Sequence, residues 1–238
     1  MNVTKSLALA VALLTGGTAL NAQQFLVPFE GFSRKKSTYV TLSDGTEVEG
    51  TLKKWKQNRG LIAELQLELD GGKRTIMAEE ISHMYVPASA LGKFGAAMEG
   101  ISNLEQAQSK SDLDAERLKD DYAYFEYATV DYERRGDRRL LLQLVNPGFE
   151  SGVRVYHDPF AAETRSVGVG GVTITGGIEK SYYVKKGDAK AFLVKKKDYD
   201  EHFLTLFGDC KALVKEVGSK PNWKNFPKHV FKYSTMCE

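Results

Sequence analysis

The sequence predicts a mixed α+β protein: an N-terminal small five-stranded β-barrel, a helical linker, and a second β-rich unit closed by C-terminal helices. Three observations carry this expectation. Short alternating runs cut by Asp-Gly turns fill residues 37–87. The composition then shifts to Ala, Glu, Gln, Ser and Lys over 88–121. Finally, amphipathic segments with helix-start and helix-stop residues, carrying both cysteines of the chain, end the stretch 122–238.

Residues 1–22 precede these units and read as a secretory signal peptide. In MNVTKSLALAVALLTGGTALNAQQ, Lys5 comes before the apolar run Leu7 to Leu14, a Gly-Gly break follows, and Ala22 supplies the small residue of a cleavage site. The run is far shorter than the roughly twenty residues that cross a bilayer. The expected product begins near Gln23 and is exported to the periplasm, cell surface or medium, with no membrane span. Without Lys5 the charge balance is 32 basic against 31 acidic residues, which gives no field for nucleic acid. A hydrophobic share of 42% with 11% aromatic residues provides for a buried core.

In the first unit, Tyr39 to Leu42 reads as a strand, Ser43-Asp44-Gly45-Thr46 as a hairpin turn, and Val48 to Trp55 as the return, with Val48, Gly50 and Leu52 on one side. Leu61 to Leu69 alternates, so Leu61, Ala63, Leu65, Leu67 and Leu69 should face one way and Glu64, Gln66 and Glu68 the other. Asp70-Gly71-Gly72-Lys73 turns the chain again, and Thr75 to Met77 and Ile81 to Val86 complete about five strands. The strand spacing and the run DGTEVEGTL resemble small barrels of the SH3-like and Sm-like kind. Many Sm-like barrels bind RNA, but export and the interleaved glutamates argue against that ligand here.

Over 88–121, Ser111 or Asp112 is placed to cap a short helix through Lys119, with Leu113 and Leu118 as its apolar contacts. The second unit opens on the aromatic and β-branched run YAYFEYATVDY and continues through Leu140 to Val145. Between them Arg135-Gly136-Asp137 reads as a solvated hairpin turn in preference to an adhesive tripeptide. Asn146-Pro147-Gly148-Phe149 is a further turn, and Val153, Val155 and His157 alternate up to Asp158-Pro159. SVGVGGVTITGG, residues 166–177, holds five glycines but leads into another β-prone run, not into a helix N-terminus that would receive a phosphate. It reads as hairpin turns around a short strand.

From Tyr182 two strands flank Lys186-Gly187-Asp188, then Asp198 and Glu201 form a D-x-x-E capping pattern for a helix carrying Tyr199, Phe203, Leu206 and Phe207, ended by Gly208. Asp209 is placed to cap a helix with Leu213, Val214 and Val217, and Pro227 opens another with Val230, Phe231 and Tyr233. If these two helices run antiparallel, the start of the first meets the end of the second. That pairs Cys210 with Cys237, as export also favours. The strand pair, the KKKDYDEHF helix start, the cysteine-bearing helix, the KYSTMC terminus and the phrase NPGFESGVRVYHDPF resemble a pattern in exported proteins of Bacteroidota-type Gram-negative bacteria. The resemblance implies compartment and layout and brings no catalytic residue with it.

For function, the sequence offers no G-x-S-x-G elbow and no H-E-x-x-H pair, and His83, His157, His202 and His229 stand far apart, so it assigns no catalytic residue, metal ligand or cofactor. Adjacent His157 and Asp158 point to opposite faces of a strand. Residues 180–238 hold thirteen lysines, no arginine and seven acids, with Lys195, Lys196 and Lys197 as the densest point. The leading expectation is a non-catalytic binding or assembly module whose partner is an envelope protein or glycan. Two alternatives are a hydrolase of envelope or extracellular polymer, its carboxylates assembled by folding, and a binder of anionic glycan or lipid through Lys195–Lys197.

Overall fold

The computed structural model describes residues 25–29, 31–89, 111–131, 136–161 and 178–237. The expected signal, the Gly-rich stretch 166–177 and Arg135 lie outside them.

Among the described residues, period-two alternation and β-rich composition yield ten strands: β1 Ser37–Leu42, β2 Glu47–Asn58, β3 Leu61–Leu69, β4 Gly72–Met77, β5 Ile81–Pro87, β6 Tyr122–Asp131, β7 Asp137–Gln143, β8 Val153–His157, β9 Ser181–Lys186 and β10 Ala191–Lys195. They form one sheet, ordered β4-β3-β2-β1-β5-β6-β10-β9-β8, with β7 on β6. All pairings are antiparallel except β10 on β6. The Asp-Gly turn forms as the sequence predicts: Gly45 takes φ +85° and the Asp44 carboxylate accepts the Thr46 N–H at 2.8 Å.

The five strands expected over 37–87 are present, but they do not form a closed barrel. The sheet is open, and β5 carries the ladder on into β6 by pairing His83 to Pro87 with Glu126 to Tyr122. A strand edge with unpaired N–H and C=O groups seeks a partner, and β6 provides it. Within β3 the alternation slips at a register shift opposite Lys56 and Gln57, so Ile62, not Ala63, enters the core alongside Leu65 and Leu67.

Neighbouring residues along β5, β6 and β7 enter different apolar clusters, so both faces of the sheet are covered. One face packs under three helices, α2 Tyr199–Phe207, α3 Lys211–Val217 and α4 Phe226–Met236. The other receives Leu113 and Leu118 from residues 111–119, including α1 Ala115–Lys119. The stretch after the expected cleavage point is also structural. Phe25 and Leu26 are buried, the Phe25 ring meets Phe149, Tyr182 and Phe226, and Leu26 donates to the Val145 carbonyl at 2.7 Å.

Helix extents match the sequence reading more closely than helix caps do. Pro227 sits in the first turn of α4 and Gly208 ends α2. However, α1 is capped by Asp114, not by Ser111 or Asp112. Asp198 makes no side-chain cap to α2; its carboxylate accepts from the Lys195 N–H one turn earlier. Cys210, not Asp209, occupies the N-cap of α3. Among the α2 and α4 side chains, burial of His229 against the Tyr199 hydroxyl pushes its pKa down to about 4, so this ring is neutral in the core at ordinary pH.

The Cys210–Cys237 disulfide ties the start of α3 to the end of α4, with a Cα–Cα distance of 5.5 Å and a sequence separation of 27. Replacing both cysteines by serine is expected to lower unfolding stability by roughly 3 kcal/mol, through the loop closure lost from the unfolded chain. Thermal unfolding of the double variant measures it, and reductant should bring the wild type to the same midpoint. Equal midpoints for variant and oxidised wild type would show that α3 and α4 do not depend on the bridge.

Candidate functional site

Along β8 the sequence V-R-V-Y-H sends Val153 and Val155 into one core and leaves Arg154 and Tyr156 on the opposite face, the face that also carries Tyr124 and Glu126 of β6. There Glu126 becomes the centre of a polar network. Arg154 Nη1 donates to both carboxylate oxygens at 2.9 and 2.7 Å, the Tyr156 hydroxyl donates at 2.6 Å and the Tyr124 hydroxyl at 3.3 Å. Arg154 Nη2 turns outward to Asp112 at 3.0 Å. Burial alone would push the Arg154 pKa down, but the Glu126 charge and hydrogen bonds hold it above its ordinary value. Burial, followed by the same charge, raises Tyr156 and Tyr124, so both hydroxyls remain donors.

Beside this network opens a cleft of about 630 Å³, lined by Glu150, Ser151, Gly152, Arg154, Lys185, Gly187 and Asp188. Arg154 and Lys185 are direct cross-strand partners of β8 and β9, so their cations share one face. Gly152 and Gly187 bring the two backbones together at its rim, with the Gly187 N–H donating to the Gly152 carbonyl at 2.9 Å. Both take positive φ, +68° and +51°, where a side chain would strain the turn. Glu150 is 5% exposed and accepts from the Ser111 hydroxyl. Burial pushes its carboxyl above the usual range, the serine bond opposing this. Among the described residues no carboxylate pairs with Lys185 and no cation pairs with Asp188, whereas Lys186 next door is paired with Asp209 at 2.8 Å.

The sequence-predicted anion site is placed elsewhere. Lys195 ends β10, and Lys196 and Lys197 are exposed on the 3-10 turn Lys196–Asp198, with the Lys196 N–H donating to the Lys180 carbonyl. His157 and Asp158 part as expected of neighbours on a strand: His157 Nδ1 lies 2.9 Å from Glu179 Oε2, while Asp158 accepts from Ser181 at 2.7 Å and from the Phe160 N–H. The Asp137 carboxylate is held by Lys190 beside the β6–β7 hairpin. Among the described residues no group of three His, Cys, Asp or Glu side chains converges as a metal site, and no helix is long and apolar enough to cross a membrane.

Comparison with family models, curated proteins and solved structures returns no match. What the chain does must therefore be read from its own side chains.

Proposed function

We propose that this protein is a non-catalytic binding or assembly module of the periplasm or cell surface, and that it takes its partner at the β8–β9 cleft. The observation that carries the reading is Lys185, a cation without a carboxylate partner among the described residues, set directly opposite Arg154 in a recess lined by polar residues. A few convergent polar groups in a concavity are the usual mark of a ligand site.

The test is affinity capture from envelope extract by the wild type and by Lys185→Ala. Stoichiometric capture that falls about tenfold in the variant, the scale of one charge-assisted hydrogen bond, is expected. Capture unaffected by Lys185→Ala but lost in Lys196→Ala/Lys197→Ala would move the contact to the C-terminal lysines and to anionic glycan or lipid.

A second reading draws on Glu150. A buried carboxyl with a raised pKa beside a cleft suits a general acid, as hydrolysis of an envelope or extracellular polymer requires. Turnover of such a polymer, abolished by Glu150→Gln, would replace the binding reading.

A further inference from the structure

We propose that the β8–β9 cleft binds a carboxylated sugar unit of an acidic polysaccharide, and that Asp112 occupies the place of the ligand carboxylate while the cleft is empty. The inference rests on the cleft being the binding site. The guanidinium of Arg154 is divided: Nη1 is committed to the sheltered Glu126, while Nη2 meets Asp112, whose side chain is 81% exposed. An aspartate so exposed gains little from the contact and gives it up readily to a competitor. Arg154 Nη2 and Lys185 together supply two donors on one face for a single carboxylate.

The remaining lining selects the rest of the ligand. Glu150, Ser151 and Asp188 offer polar side chains, and with Gly152 and Gly187 they leave the lining without an apolar side chain. A peptide anchors through apolar or aromatic residues in pockets, which this recess lacks. A sugar ring carries hydroxyls that donate and accept at once, so the carboxylates of Glu150 and Asp188 take its O–H groups while Lys185 and Arg154 take its carboxylate. The raised Glu150 carboxyl widens the pH range over which that group also donates.

The probe is an oligomer of galacturonic acid, with the neutral galactose oligomer and polyglutamate as comparators, titrated calorimetrically into the wild type, Lys185→Ala, Lys185→Gln and Asp112→Asn. The altered side chains are at most half-buried, and unfolding midpoints verify that each variant is folded. The uronate oligomer is expected to bind and the neutral one not to. Both Lys185 variants should weaken binding about tenfold. Asp112→Asn should tighten it about two- to fivefold, the worth of an exposed ion pair that no longer competes. Equal binding of the neutral oligomer, preference for polyglutamate, or unchanged affinity in Asp112→Asn each overturns the proposal. If envelope capture depends on Lys185 while the uronate oligomer fails to bind, the ligand class is wrong and the cleft stands. If capture ignores Lys185, the cleft itself is wrong.

Discussion

Arg154→Met should destabilise the protein by roughly 3 kcal/mol, because it leaves the sheltered Glu126 carboxylate facing two tyrosine hydroxyls and no cation. The side chains of Arg154 and Glu126 are 23% and 15% exposed, so water reaches the orphaned charge only in part. That sets the cost well above the level of a surface pair such as Lys36 with Asp120. For a chain of this size the loss corresponds to a fall in Tm of about 6–12 °C. Adding Glu126→Gln to Arg154→Met should return more than half of it, since the remaining amide carries no charge and still accepts from Tyr156. A double variant no more stable than the single one would mean that Arg154 acts through packing of its stem and not through Glu126.

Gly50→Ala should be nearly as damaging, for a different reason. A Cβ on Gly50 would stand 2.4 Å from Leu69 Cδ2 and 2.8 Å from the Glu68 carbonyl oxygen. The leucine methyl can swing aside, but the carbonyl belongs to the β2–β3 ladder, where Thr51 faces Glu68. Relief requires β2 and β3 to separate at the centre of the main core, beside the fully buried Leu52 and Leu67. A loss of about 3 kcal/mol is expected, read as a shift in denaturant midpoint. Gly71→Ala is the control: an added Cβ there meets nothing within 4 Å and the backbone is not in the left-handed region, so it should be close to neutral. Equal midpoints for the two variants would show that β2 does not need this close approach.

These two positions differ in how far the sequence discloses them. Gly50 falls on the Val48–Leu52 side of an alternating run, so the alternation itself gives its inward orientation; the carbonyl it leaves room for has no such signal. Alternation and turn chemistry likewise disclose the hairpins and the faces of α2 and α4, because each depends on neighbours within a few residues; Cys210 facing Cys237, 27 residues apart, follows from reading α3 and α4 as an antiparallel pair. The β5–β6 pairing joins strands separated by residues 88–121 and has no local signature, which is why the first five strands read as a closed barrel.

The candidate site shows the same limit more sharply. Ser111, Asp112 and Asp209 all have the chemistry of helix caps, and in the fold all three reach distant partners: Ser111 donates to Glu150 while also accepting the local Leu113 N–H, Asp112 accepts from Arg154, and Asp209 accepts from Lys186 and Tyr233. A short polar side chain can satisfy a local N–H or a remote donor, and only tertiary placement decides between them. Glu126 and Glu150 are single acids in aromatic or turn sequences, Arg154 is a single cation in an alternating strand, and Lys185 is half of the adjacent pair Lys185–Lys186, of which only the first lines the cleft. They become a site through the β8–β9 register, which no spacing rule provides. The run Lys195–Lys197, by contrast, is conspicuous in the sequence because its members are adjacent, and adjacency places them on a turn and not around a recess.

Lysine reactivity tests the cleft as the partner's contact most directly. Brief labelling with an amine-reactive reagent, with and without saturating envelope extract, followed by mass spectrometry of the peptides, reports which cations a partner covers. Lys185 is expected to become protected while Lys196 and Lys197 keep their reactivity. Protection of Lys196 and Lys197 with Lys185 still reactive would contradict the cleft and place the contact on the C-terminal lysine face.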